Sequence, residues 1–215
     1  MTDWTSGPRT GYGESVGNLI TGDELVRRCR EASASAAPER AVAAVLHEVL
    51  ANDPAGIRAS LADDGATMRP GGLHVLADSP DLTVFHATLP PGFVNAPHDH
   101  RTWAVIGVYE GEEHNVFYER RGGSIAPVSE LDATAPRVVA MPIDAIHAIE
   151  NRLPIASRAI HVYGGAHFHV VRSMWHPATL EEHPRDDALF FQWCREMMAA
   201  GERLPAPPPS GDAGR

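Results

Sequence analysis

The sequence predicts a mainly β protein, a sandwich or barrel of short strands with helices before and after it, on three observations. From about Met68 to Trp175 it reads as short β-branched and aromatic segments: LHVLA, LTVFHATL, WAVIGVY, HNVFYER, RVVAMP, RAIHVYG and FHVV. Gly, Pro, Asn and Asp divide them, and many short strands at regular spacing close into a sandwich or barrel. Upstream, apolar residues recur with a helical period, and downstream one amphipathic stretch does the same.

Taken in order, residues 1–20 are rich in Gly, Ser and Thr and form a loose lead-in. Thr21 followed by Glu24 resembles a capping box, ahead of a stripe of Leu25, Val26 and Cys29. A second helix starts at Pro38, where proline suits a first turn, with Val42, Val45, Leu46 and Val49 on one face. A third short helix is expected over Ala55 to Leu61. Residues 187–201, DALFFQWCREMMAAG, form a helix that packs Phe190, Trp193, Cys194 and Met197 on the barrel. The tail LPAPPPSGDAGR has the composition of a disordered segment. The expected division is 1–66 for the helical lead-in, 67–180 for the barrel and 181–215 for the last helix and tail, all within one structural domain.

Composition narrows the function. A chain of 215 residues suffices for one well-buried core. Its formal net charge of −10 gives no basic face for nucleic acid. No apolar run approaches the roughly 18 residues needed to span a bilayer, so no membrane association is expected. The first residues, MTDWTSGPRTGYGES, lack the basic and apolar regions of a signal peptide. Cys29 and Cys194 have no ligand-like spacing, and a cytoplasmic protein with free thiols is the simplest reading, a single disulfide being the alternative. The oligomeric state stays open.

Twelve histidines are many for this length, and their placement carries the chemistry. His98 and His100 stand two apart in PHDHRTWAVIGVYEG. On a strand such residues share a face, so both imidazoles aim inward while Asp99 points away. Imidazole is a common nitrogen ligand for iron, zinc and copper. Alone, the pair is a weak signal and reads more readily as ordinary hydrogen-bonded or surface histidines.

The surrounding spacing resembles the first motif of the cupin superfamily, G-x5-H-x-H-x3-E-x6-G, with Gly92, His98, His100 and Gly111 in position and Ala104 in place of the glutamate. The second motif, G-x5-P-x-G-x2-H-x3-N, is matched by Pro142, His147 and Asn151, with Pro136 and Asp144 in place of its glycines. The resemblance implies a double-stranded β-helix, the jelly-roll-like cupin barrel, holding a metal ion through His98, His100 and His147. A closed structural zinc site would bring four ligands. Three neutral histidines leave the ion its full charge and up to three open positions, enough for a thiolate and dioxygen.

The stretch IHAIENRLPIASRAIHVYGGAHF is similar to the corresponding part of the thiol dioxygenases, the cysteine dioxygenase family, and most of all to its bacterial 3-mercaptopropionate type. The likeness covers roughly residues 70–178. It implies an Fe(2+)-dependent enzyme that uses O2 to oxidise a small thiol to a sulfinate. The family's Ser-x-His-x-Tyr triad falls on Ala159, His161 and Tyr163, so the resemblance implies catalytic roles for Tyr163 and His161 in managing oxygen. Read from the residues alone, both are also ordinary inward barrel positions. Ala159 lacks the serine hydroxyl, which leaves His161 held by water or less firmly. The carboxylate-binding arginine of the mercaptopropionate type falls on Arg172, whose other reading is a structural ion pair.

Val105 stands where the animal enzymes carry the cysteine that crosslinks to the tyrosine, so no crosslink is expected. LHVLADSPDL contains no counterpart of their N-terminal substrate arginine, Arg69 lying a little upstream, which argues against cysteine as substrate. His167 and His169 lie outside the implied ligand set and read as pocket-lining residues or as a pair near the barrel rim. Two other functions stand beside the leading one: a three-histidine cupin oxygenase of a different small molecule, and a non-catalytic cupin that binds metal or ligand.

Overall fold

The computed structural model describes residues 20–52, 56–58, 61, 68–69 and 72–208, the backbone alone at 68–69. The expected loose lead-in up to residue 19, the side chain of Arg69 and the tail from residue 209 lie outside the described residues.

Helix α1, Gly22–Ser33, starts where its capping signal falls, the Thr21 hydroxyl accepting the Glu24 amide at 3.1 Å. The Glu24 carboxylate pairs with Arg27 instead of reaching back, so half of the capping box is made. The buried residues of α1 are Leu25, Val26 and Cys29. Helix α2, Pro38–Asn52, buries Val42, Leu46, Val49 and Leu50, with Val45 at the margin. Of the third expected helix, residues 56–58 are helical, while Ala55 lies outside the described residues.

Among the described residues twelve strands follow: β1 Met68–Arg69, β2 Leu73–Asp78, β3 Thr83–Leu89, β4 His98–Asp99, β5 Ala104–Glu110, β6 Glu112–Arg121, β7 Ser124–Thr134, β8 Arg137–Met141, β9 Ile146–Glu150, β10 Ser157–Tyr163, β11 Ser173–Trp175 and β12 Glu182–Pro184. Helix α3, Asp187–Ala200, follows the last strand with the expected Phe190, Trp193, Cys194 and Met197 buried. The strands form two six-stranded sheets in the orders β1-β2-β3-β10-β5-β8 and β12-β11-β4-β9-β6-β7. The protein is a mainly β, jelly-roll barrel of the cupin type, a double-stranded β-helix, with helices before and after it.

Strand alternation sorts the side chains into three apolar layers. On the outer face of the first sheet, Val84, Val105, Ile160 and Val162 meet Leu25, Val42 and Leu46 of the first two helices. On that of the second, Val116, Ile146, Ala148 and Trp175 meet Phe190, Trp193 and Met197 of α3. Between the sheets lie Phe85, Ala104, Ile106, Val108, Ala159 and Tyr163. Truncating a fully buried contact such as Leu46 to alanine costs about 2–5 kcal/mol, so α2 contributes substantially to holding the first sheet.

Three expectations change. FHVV is a turn, not a strand: the His169 and Val170 amides both donate to the Ala166 carbonyl, and Val171 is 91% exposed. Two glycines before it, Gly164 and Gly165, let the chain reverse, and His167 packs inward instead of alternating. The long β7 escapes the hydrophobic pattern because it is paired on one side only, is exposed or half-buried along most of its length and carries Pro127 at a bulge. The start of the tail is anchored, because the buried carboxylate of Glu150 requires partners. Arg203 pairs with it, the Leu204 amide donates to it at 3.1 Å, and Leu204 is buried. Among the described residues no helix is long and apolar enough to cross a membrane.

Candidate metal centre

Strand register brings the three histidines together. In the pairing of β4 with β9, His98 lies directly opposite His147, and opposed residues point to the same face. His100 follows two residues after His98, just before Arg101 turns the chain at φ 55°. One ligand atom from each of the three residues lies within 4.8 Å of the others, and all three residues are buried. Among the described residues no carboxylate or thiol joins this group. Asp99 points outward, as alternation requires, accepting the Ser173 amide at 2.7 Å and pairing with Arg101 at 2.8 Å. Asn151, the last position of the second motif, is structural: its side chain bonds the backbone of Leu89, Pro90, Leu153 and Ile155.

The hydrogen bonds prepare these imidazoles as ligands. Asn115 Oδ1 can only accept, so His147 donates to it through Nδ1 at 2.9 Å and keeps a bare Nε2. His98 likewise donates Nδ1–H to the Ala96 carbonyl at 3.1 Å. The Nε2 atoms of His100 and His147 are 3.1 Å apart. Two nitrogens at adjacent positions on one ion, each bonded at about 2.1 Å, stand about 3 Å apart. His100 Nδ1 is buried without a partner. The residues present fit a divalent transition-metal ion.

Burial holds the imidazoles neutral. It pushes His98 and His100 well below the ordinary value of 6.5, with the neighbouring His147 adding to it, and it brings His147 to about 3. His167 is lowered in the same way, again mainly by burial. In the metal-free protein the unfolded chain therefore binds more protons than the folded one below pH 6.5. Stability is full above that pH and falls as pH drops, by up to about 1.4 kcal/mol per pH unit for each group. Denaturant midpoints of metal-free protein should accordingly fall steeply between about pH 7 and pH 5. A flat profile there would mean that these rings are not buried as neutral bases.

Ala159, His161 and Tyr163 share the inward face of β10, and His161 Nδ1 is 3.1 Å from the Tyr163 hydroxyl. Phe85 stacks on His161 at 4.9 Å, and Tyr163 meets His100 edge-on at 5.0 Å. Burial raises the Tyr163 pKa, so its hydroxyl keeps its proton. Gly164 ends the strand with no side chain, since a Cβ there would fall 2.1 Å from the Trp103 indole nitrogen. The residue opposite Tyr163 is Ala104, while Val105 faces the helices. Neither bears a thiol, and both cysteines are free, buried in the outer layers and pushed up by burial, Cys29 to about 12 and Cys194 to about 11.

The second His-x-His pair divides. His167 is buried and stacks on Tyr163 at 3.8 Å, whereas His169 is at the surface, 3.3 Å from Asp78. Arg172, in coil just before β11, is buried and lines a cavity of about 80 Å³ together with His98, His147, His161 and Tyr163. Its nearest carboxylate, Asp187, is 4.0 Å away.

Three residues near the site escaped sequence reading. Asn115 orients His147, and Arg185 lines the cavity beside Arg172. Glu113 is buried with one oxygen 3.5 Å from His161 Nε2, so His161 lies between a tyrosine hydroxyl and a carboxylate. Glu113, Asn115 and Phe117 alternate along β6, a pattern that marks one face, but only the pairing of β6 with β9 reveals that this face is the histidines' own.

Fold and site together define a cupin-fold protein with a three-histidine group able to hold a metal ion. No protein-family model matches the chain, and no curated protein does. Among solved structures it is similar to the cupin domain of Schizosaccharomyces pombe Cnp3, at 12% identity over 43% of this chain and 59% of that one, with a TM-score of 0.37. It is also similar to an oxalate oxidase in complex with the substrate analogue glycolate, at 18% identity over 49% and 57%, TM-score 0.38. A third is an RmlC-like cupin family protein from Methanocaldococcus jannaschii, at 13% identity over 48% and 86%, TM-score 0.38. The chain thus spans less than two thirds of the first two. Likenesses this distant carry no argument about chemistry, which has to come from the site.

Proposed function

We propose that the protein is an iron(II)-dependent dioxygenase that oxidises a small carboxylated thiol to a sulfinate with O2. The observation behind this reading is that one small cavity is lined at once by His98 and His147, by Tyr163 with His161, and by Arg172. Iron bound to the histidines supplies a Lewis acid that favours the thiolate and a redox centre that activates dioxygen. Three neutral ligands leave its positive charge undiminished, which suits an anionic sulfur. Arg172 holds the substrate's carboxylate, and its planar fork fixes the orientation of the chain between carboxylate and sulfur. Tyr163 donates its hydroxyl proton in a hydrogen bond toward the reacting oxygen, and His161 holds that hydroxyl in place. Phe85, Phe93 and Phe190 exclude bulk water from the cavity. Both oxygen atoms end on sulfur, so no external reductant is consumed.

Oxygen uptake by iron-loaded protein across a panel of small thiols and non-thiol acids tests the reading, with product mass as the second measurement. A sulfinate, two oxygen atoms heavier than its thiol, is expected; uptake with no thiol would overturn it. A second reading, oxygenation of a larger non-thiol acid, is favoured by an outer cleft of about 540 Å³ that shares Arg172, Arg185 and His167 with the inner cavity. An oxygenated acid of that kind, with thiols inert, would identify it.

Tyr163→Phe should retain its iron and lower turnover by about ten- to a thousand-fold, the usual cost of one positioned hydrogen bond in such a site. Uncoupling of oxygen uptake from product would be a second signature. Wild-type turnover in this variant would remove Tyr163 from the chemistry.

A further inference from the structure

The cavity wall holds a second guanidinium. The Arg185 amide donates to the Arg172 carbonyl at 2.8 Å, so the two residues are backbone neighbours. Their side chains are only 11% and 4% exposed, and both line the cavity that His98 and His147 line. Among the described residues the one carboxylate within 4.0 Å of either is Asp187, whose Oδ1 is 2.7 Å from Arg185 Nε and 4.0 Å from Arg172 Nη2. Arg172 makes no hydrogen bond through its side chain among the described residues, and Arg185 Nη1 is buried without a partner. The Arg185 guanidinium lies over the Phe190 ring at 3.5 Å, which fixes its plane.

Two largely buried guanidiniums with one half-exposed carboxylate within 4.0 Å leave their positive charge only partly compensated, an arrangement that a further anion stabilises. Burial and the charge of Arg185 push the Arg172 pKa down to about 10, so both groups stay charged at neutral pH and stay in need of a partner. A single further carboxylate matches the positive charge and the free nitrogen left here.

We infer that Arg172 and Arg185 together form the seat of a single carboxylate, and that Asp187 occupies part of this seat until the ligand arrives. The inference rests on the carboxylated substrate of the reading above and not on oxidation of its sulfur. A carboxylate offers two oxygens, one to each fork, and satisfies the free Arg185 nitrogen as well as Arg172. Asp187 is well suited to yield: it is 53% exposed and is the first residue of α3, where the helix N-terminus and water both stabilise its charge. The ligand class is a short monocarboxylate, its other end directed at the histidines.

Calorimetric binding of propionate to the metal-loaded protein tests this without turnover. Wild type should bind propionate and not 1-propanol. Arg185→Gln should weaken propionate at least tenfold, Arg185→Lys should recover part of the loss, and Asp187→Asn should tighten binding severalfold. Unchanged propionate affinity in Arg185→Gln overturns the inference, and so does weaker binding in Asp187→Asn. Should Arg185→Gln fail to fold by circular dichroism, Arg185→Lys and Asp187→Asn decide by the same criteria. A wild type that makes sulfinate yet binds no propionate sinks the seat and keeps the dioxygenase reading. Propionate binding with every thiol inert does the reverse.

Discussion

His147→Ala is expected to give a folded protein that retains almost none of the metal the wild type binds, about one ion per chain. His147 is fully buried at the centre of the group, opposite His98 in the strand register and 3.1 Å from His100 Nε2. Its removal leaves two ligands, too few for tight binding to an ion that prefers at least three protein donors. Loss of even a partner that orients a ligand typically costs about 10- to 100-fold in affinity, so Asn115→Ala should show that smaller loss and His147→Ala a larger one. His98→Ala and His100→Ala should behave like His147→Ala. Metal content by elemental analysis, with thermal unfolding to check the fold, measures each. Full occupancy in His147→Ala would exclude it from the ligand set.

The second large effect is expected at Arg172. With the thiol at the metal and the carboxylate at the guanidinium, a short substrate is held at both ends, and orientation supplies much of the rate. Truncating one partner of a buried charge-assisted pair costs on the order of 2–5 kcal/mol. Arg172→Ala should thus raise the half-saturating concentration of 3-mercaptopropionate at least tenfold, while its iron content is preserved. 1-Propanethiol, which has no carboxylate, should lose far less. Arg172→Lys should recover only part, because an ammonium lacks the fork. An Arg172→Ala protein that unfolds would mark the arginine as a structural partner of Asp187. One that folds and treats both thiols alike would show that the carboxylate is not held there, and the non-thiol acid would become the leading substrate class.

These expectations differ in how much of them the sequence contained. The His98 and His100 pair was legible as two residues sharing one face of a strand, and His147 joined it through resemblance to the cupin motifs. Alternation alone put His161 and Tyr163 on one face, and their proposed roles came from resemblance. Arg172 was found through resemblance, and its neighbour Arg185 was not found at all. In the sequence EEHPRDDAL that residue looks like any surface arginine, yet its side chain is only 11% exposed and lies over Phe190. Glu113 and Asn115 were equally silent, in a strand whose outward residues are also buried, so that alternation of polarity gave no sign of which side was which.

By itself the sequence determined the β-rich class, the two flanking helical regions with the buried faces of α1, α2 and α3, and the identity of the histidine group. Each of these is carried by a short-range periodicity or a fixed spacing, which a strand or helix turns into a shared face. The tertiary structure decided the rest: that FHVV turns instead of pairing, that His167 and not His169 reaches the cavity, and that Glu113, Asn115 and Arg185 surround the site. These depend on strand register, as in the pairing of β6 with β9, and on the docking of α3, contacts between residues tens of positions apart that no local pattern encodes. A shift of one residue in the register of β6 on β9 would turn Asn115 and His147 to opposite faces, so the centre exists only in the pairing that the whole core selects.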